Sequence, residues 1–263
     1  MEARYAPHPA DHRSVSAAGS SFSYDIEHII ACNAGPRSVR ILYTSDVARI
    51  DNWCRDARAA QTGGVATLGL DTESPPNFRP GGSTEVTVLQ LAYGDSVLVI
   101  QLNAIHAEGM RGRHHVRRSP HLINLITHPS TVVVGMGIAG DVSEIADLLQ
   151  IPHDSRPAIM DLKRMAIDRG HAIPGGLGPL AEAILGVAKW KSKKLSLSKW
   201  GAWPLQDRQV VYAAMDAWAS CALHGALLDL PVPPPPAAAA PPPEEASVST
   251  GAAVSGGGLL RWG

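Results

Sequence analysis

Two acids two residues apart, Asp71 and Glu73, close the β-branched run VATLGLDTE. An extended chain turns every second side chain to the same side, so both carboxylates face one way. At about 4 Å two such charges repel by roughly 4 kcal/mol at an effective dielectric near 20, so a cation or a shared proton must accompany them. The pair has the chemistry of a metal site, although two exposed acids opening a loop are the commoner origin of such a pair taken alone. A third acid, Asp141, follows the glycine-rich turn of VVVGMGIAGDVSEIADLL, where Val142, Ile145 and Leu149 begin an apolar helical stripe. Read alone, Asp141 is an N-cap. The segment KKLSLSKWGAWPLQDRQVVYAAMDAWASCALHGALL places Tyr212 and Asp216 four residues apart, hence on one helix face, with Gln209 on the same polar strip. Such a pair either does chemistry or is a structural contact between a phenol and a carboxylate.

These residues need rigid elements to bring them together. VRILY (39–43), VATLGLD (65–71), VTVLQLAY (86–93) and SVLVIQL (96–102) read as strands, with Gly94 and Asp95 forming a tight hairpin between the last two. Between the first and second, Ser45 and Asp46 cap a helix in which Val47, Ile50 and Cys54 recur at helical steps. TVVVG (131–135) and PAIMD (157–161) are predicted as short buried strands, each feeding a helix. Helical patterning then dominates from Asp161 to Leu228. An antiparallel portion followed by parallel crossovers predicts an α/β domain built on a mixed sheet.

The chain's ends differ in composition from this body. Residues 1–22 are rich in Ser, Ala, His and Pro, and 231–263 read PVPPPPAAAAPPPEEASVSTGAAVSGGGLLRWG. Neither end carries enough apolar surface to offset chain entropy, so the globular domain is expected over 23–230 and the last stretch as a disordered tail. Leu259, Leu260 and Trp262 at its end are either inert or a small docking motif.

Hydrophobic residues make up 45% of the 263 and charged residues 18%, with 6 Trp, 5 Tyr and 2 Phe, so the core must be mainly aliphatic. A formal charge of -1 gives no bulk attraction for a polyanion. Any such attraction must be local. Arg111, Arg113, Arg117 and Arg118 in the loop 107–120, and Lys189, Lys191, Lys193 and Lys194 further on, are phosphate contacts or solvated charges in equal measure. Trp190, Trp200, Trp203 and Trp218 suit core packing better than base stacking. The 3 cysteines lack Cys-x-x-Cys spacing, which argues against a disulfide framework and a structural zinc site and favours a reducing compartment. No run approaches the ~18 apolar residues of a membrane span, and MEARYAPHPADHR is not a secretory signal, so an intracellular protein with no membrane partner is expected, in nucleus or cytoplasm.

Taken together, LGLDTE, VGMGIAGDVSEIADLL and LSKWGAWPLQDRQVVYAAMDAWAS resemble the three motifs of the DEDD superfamily of 3'-5' exonucleases. The likeness is to the tyrosine-bearing subgroup that contains ribonuclease D and the Werner-type exonuclease domain. The motifs occur in the family's order and bracket residues 39 to 228.

The resemblance implies a ribonuclease H-like fold with a mixed five-stranded sheet flanked by helices. It also implies that Asp71, Glu73, Asp141 and Asp216 hold metal and that Tyr212 orients the attacking water. Carboxylates are hard oxygen ligands suited to Mg²⁺ or Mn²⁺, and two such ions about 3.5 to 4 Å apart can clamp a phosphodiester. One ion is expected on Asp71, Glu73 and Asp216, the other on Asp71 and, through water, Asp141. The expected reaction releases nucleoside 5'-monophosphates from 3' ends of single-stranded or overhanging DNA or RNA. Thr72, Met136, Ile138 and Gln209 are the expected substrate contacts, with Met136 and Ile138 wedged against the terminal base. Ser74 and Ser143 depart from the aromatics that relatives carry, which puts terminal stacking in doubt. The rival readings are a nucleic-acid-binding adaptor with a weak site, and a zinc phosphohydrolase using His114 and His115. A homo-oligomer is compatible with the family, although no heptad or apolar patch in the sequence specifies one.

Overall fold

Period-two patterning sorts the central strands between two apolar layers. The computed structural model describes residues 14–15, 22–61, 64–77, 84–103, 116–171, 174–188 and 190–232. Among them, eight strands form one sheet: β1 (Ser14–Val15), β2 (Phe22–Ile30), β3 (Arg37–Thr44), β4 (Ala66–Glu73), β5 (Val88–Tyr93), β6 (Ser96–Gln101), β7 (Thr131–Gly135) and β8 (Ala158–Asp161). Their spatial order is β1-β2-β3-β6-β5-β4-β7-β8. β4, β5 and β6 form an antiparallel meander, and Gly94, at φ 56°, allows the tight turn into β6. β3 joins β6, β7 joins β4, and β8 joins β7, all in parallel.

Helices supply the crossovers that parallel strands require. α1 (Val47–Ala59) follows β3, α2 (Pro120–Thr127) precedes β7, and α3 (Ala139–Leu149) joins β7 to β8. α4 (Leu162–Asp168), α5 (Leu177–Leu185), the short α6 (Lys193–Ser196) and the long α7 (Asp207–Asp229) complete the described chain. Asp46 caps α1 by accepting from the Ala48 amide, as the sequence predicts. In β6, Val97 and Val99 face the layer of α4, α5 and α7, whereas Leu98 and Ile100 face that of α1, α2 and α3. α7 is buried around most of its circumference, polar Gln209 and Asp216 included. It is thus a central helix rather than an amphipathic surface one.

The start of α7 is fixed by the sheet. The Tyr43 hydroxyl accepts from the Leu205 amide at 2.8 Å and donates to Gln101, whose Nε2 donates to the Ala202 carbonyl at 2.9 Å. Thr87 donates to the Trp200 carbonyl at 3.0 Å. Buried polar groups on the sheet therefore hold the approach to the helix that carries Tyr212 and Asp216.

Three expectations need correction. The sheet has eight strands rather than five, because FSYDIEHII forms β2 against β3 and two short strands extend the edges. One of these, β1, lies in the segment 1–22 that was expected to be loose. PAIMD forms a strand that is not buried: Ala158, Ile159 and Met160 of β8 are exposed, since this strand ends the sheet and has a neighbour on one side only. The tail from 233 and the loop residues 107–115, with His114 and His115, lie outside the described residues. Among the described residues no helix is long and apolar enough to cross a membrane. Cys32, Cys54 and Cys221 are free thiols.

Candidate active site

The site forms where β4 and α7 touch. Asp71 and Glu73 project from one face near the end of β4, which remains paired to β5 as far as Glu73 and Val88. α7 comes unusually close to this strand at Gly69, where a Cβ would collide with the Ala217 carbonyl and lie 2.9 Å from the Cys221 amide nitrogen. Glycine in a strand interior often marks such a backbone approach. Here it brings Asp216 of α7 beside Asp71. One carboxylate oxygen from each of Asp71, Glu73 and Asp216 lies within 4.8 Å of the others, the single such acidic group among the described residues.

Asp141 stands outside that trio. It occupies the first turn of α3, where Ile138 is the N-cap residue and no side-chain cap bond is made, so the N-cap reading does not apply. Its carboxylate instead accepts from the Thr72 hydroxyl, which links it to the strand residue between Asp71 and Glu73. Its charge contributes to raising the affinity of both neighbours for protons.

Electrostatics follow from this crowding. Desolvation first, then the charge of Asp216, pushes the Asp71 carboxyl up to about 8. Glu73 is pushed up to about 9, by desolvation and then by Asp71 and Asp216. Burial raises Asp216 as well, opposed by its bonds to Lys191 and Trp190. The Lys191 ammonium lies 2.5 Å from Asp216 Oδ2, and the Trp190 indole Nε1 donates to Oδ1 at 2.7 Å. For Lys191, burial lowers the proton affinity, but the carboxylates outweigh it and the net shift is upward. Within 4.8 Å and at an effective dielectric of 20, each like-charge pair would repel by roughly 3.5 kcal/mol or more when ionised. One ammonium does not balance three carboxylates.

The remaining candidates divide by their surroundings. Tyr212 is buried, with its ring 5.9 Å from that of Trp200 and 5.2 Å from the Lys191 nitrogen. Burial, then the charge of Asp216, raises its phenol further above the ordinary value. The Gln209 amide is engaged within the protein, accepting from the Gln206 amide at 3.1 Å and donating to Ser198 Oγ at 2.9 Å. Met136 is half-buried at the glycine turn. Ile138 is 1% exposed and sits over Gly135 in the core, which corrects the expectation that it wedges against a base. Lys193 and Lys194 are exposed on α6, and Lys189 lies outside the described residues. Trp200 and Trp218 are core residues, whereas Trp203 is exposed and packs edge-on against Phe22. Ser143 accepts from Arg156, which also pairs with Asp147.

Sequence reasoning missed Gly69 and the pairing of Lys191 and Trp190 with Asp216. A glycine inside the β-branched VATLGLD was the available signal for the first. Nothing local signals the second, which spans 25 residues between Lys191 and Asp216. A separate cavity of about 740 Å³, lined by Arg40, Arg49, Trp53 and Tyr93 among others, contains none of the site carboxylates and lies toward the opposite ends of the strands.

The donor set fits a divalent metal. Three hard carboxylate ligands share one spot, and desolvation, then their mutual repulsion, raises two of them toward neutral form when only Lys191 is present. Such a cluster gains most from a doubly charged cation.

A family model described as 3'-5' exonuclease matches residues 41–230. A 3'-5' exonuclease of Arabidopsis thaliana is 29% identical over 203 residues, covering 73% of this chain and 65% of its own length. The human exonuclease mut-7 homolog is 29% identical over 181 residues, covering 62% of this chain and 20% of its own. The chain thus spans less than two thirds of either relative. Among solved structures, Escherichia coli RNase D, an exoribonuclease involved in structured RNA processing, superposes with a TM-score of 0.52 at 21% identity, covering 69% of this chain and 42% of that one. That likeness is one of fold, the ribonuclease H-like arrangement of mixed sheet and flanking helices.

Proposed function

The chain belongs to the 3'-5' exonuclease family, and from that premise we propose that it hydrolyses DNA or RNA from single-stranded or overhanging 3' ends, releasing nucleoside 5'-monophosphates. The convergence of Asp71, Glu73 and Asp216 on one spot carries this reading. Asp71, Glu73 and Asp216 would hold one Mg²⁺ or Mn²⁺, and Asp71 with Asp141 a second. Bound divalent cations supply Lewis-acid activation of the attacking water and charge stabilisation at the leaving 3' oxygen.

The protein's own groups set the geometry. Gly69 and the α7 backbone hold Asp216 against Asp71, and the Thr72 hydroxyl holds Asp141 toward the same strand end. The Tyr212 phenol keeps its proton at neutral pH, because burial and Asp216 raise it above its ordinary value near 10. It therefore orients water or phosphate by donating a hydrogen bond and does not take the proton. Met136, apolar and half-buried at the turn before α3, would meet the terminal base. Gln209 acts indirectly, by fixing the first turn of α7.

The test is digestion of 5'-labelled and 3'-labelled DNA and RNA oligonucleotides with Mg²⁺ or Mn²⁺. Substrates labelled at the 5' end should shorten stepwise while the 3' label leaves as mononucleotide, and Asp216→Asn should slow this by more than about 100-fold, beyond what loss of a supporting contact costs. Laddering that survives Asp216→Asn would reject the site. Tight nucleic-acid binding with no mononucleotide under either metal would instead favour an adaptor.

A further inference from the structure

We propose that Lys191 is an exchangeable counter-ion of the carboxylate cluster: its ammonium occupies the cation's place at Asp216 in the metal-free protein and yields it to the incoming divalent ion. This rests on the metal-site reading above and adds what that reading lacks, the residue with which the metal competes. Asp216 is 1% exposed, and both its oxygens are engaged by consecutive residues, Oδ1 by the Trp190 indole and Oδ2 by the Lys191 ammonium.

The two partners differ in how readily they can leave. The Trp190 ring packs against the core that includes α7, so the indole N–H is an anchored donor. The Lys191 side chain is 35% exposed and ends in a flexible stem, so rotation about its own bonds carries the ammonium to solvent without moving the backbone. A dication and an ammonium on the same Oδ2 repel each other, so each weakens the other's hold on that oxygen. Metal affinity is then reduced by the fraction of time that Lys191 occupies the oxygen.

The path of the lysine stem is built into the fold. Gly178, in the first turn of α5, is a glycine where helix propensity favours almost any other residue. Beyond its own helix, an added Cβ there would meet, among the described residues, only Lys191, at 2.9 Å from Cγ and 3.4 Å from Cβ. The bare backbone at Gly178 is what lets the stem cross the helix and reach Asp216. A solvated surface lysine would need no such channel.

Mn²⁺ binding to the full chain without nucleic acid, measured by calorimetry and by thermal shift, tests the inference. Lys191→Met should tighten Mn²⁺ binding about tenfold, the order set by one hydrogen bond to a charged group. Its metal-free form should melt lower than the parent while its Mn²⁺-loaded form melts alike. Gly178→Ala, which keeps the ammonium but obstructs its stem, should shift affinity in the same direction by a smaller factor. A folded Lys191→Met that binds Mn²⁺ as the parent does, or more weakly, overturns the proposal. If that variant does not fold, unchanged affinity in Gly178→Ala overturns it equally. Failure of the parent itself to bind Mn²⁺ would remove the metal-site reading, and the counter-ion proposal with it, so the two failures are told apart.

Discussion

Asp71 and Glu73 hold protons at neutral pH because desolvation, and then neighbouring carboxylates, raise them to about 8 and about 9. A metal must displace those protons to bind. Its apparent affinity should therefore climb between pH 6 and 9, with protons released on binding, measurable by calorimetry in buffers of different ionisation enthalpy. A flat profile over that window would contradict the assigned ligands. Tyr212→Phe should lower kcat about 100-fold, the scale of a misplaced reactant, while leaving Mn²⁺ binding intact, as stopped-time digestion and calorimetry would read. At this scale much was legible in advance. Asp71 and Glu73 share a face because strands have period two, and Tyr212 and Asp216 because helices bring residues four apart together. The environment of each carboxylate was not legible. Asp141 reads as a cap, yet the Thr72 hydroxyl from another element takes its oxygen. Ile138 reads as a base wedge, yet the close packing over Gly135 buries it.

The contact of α7 with β4 is the element-level cause of the site, and Gly69 is the residue that permits it. Gly69→Ala should overpack this contact, costing about 1 to 3 kcal/mol and lowering the thermal midpoint by about 3 to 10 °C. Because the helix must move away from the strand, Mn²⁺ affinity and nuclease rate should fall more steeply than stability does. Calorimetry and digestion of the soluble variant would check this, and unchanged metal affinity would show that the contact does not position Asp216. The meander of β4, β5 and β6 was readable from alternation and from the Gly94 turn. β2 was harder, since Asp25, Glu27 and His28 dilute the β-branched character of FSYDIEHII, and only its pairing along the whole of β3 makes it a strand. β8 carries Ile159 and Met160 exposed, so an apolar pattern alone misjudges its depth. Burial there depends on sheet position, which local sequence does not encode.

For the molecule as a whole, the acidic cluster couples stability to pH and to metal. Carboxyls raised in the folded state bind more protons there than when unfolded, so unfolding becomes easier as pH rises from about 4 through the folded values near 8 and 9. Metal-free protein should accordingly melt at lower temperature at pH 9 than at pH 6. Divalent metal at about 100 times its dissociation constant should restore roughly 2.7 kcal/mol, and at one fixed metal concentration the gain should be larger at the higher pH, where the affinity is higher. Melting curves with and without chelator would show it. The overall charge of -1 predicts no general affinity for a polyanion, and on the proposed function the attraction would arise at the site once cations are bound. The most direct test is anomalous diffraction from crystals grown with Mn²⁺. The expected result is a peak shared by Asp71, Glu73 and Asp216, with the Lys191 ammonium withdrawn from Oδ2. Saturating Mn²⁺ that leaves Lys191 on Asp216 and shows no peak among those three carboxylates would contradict the account.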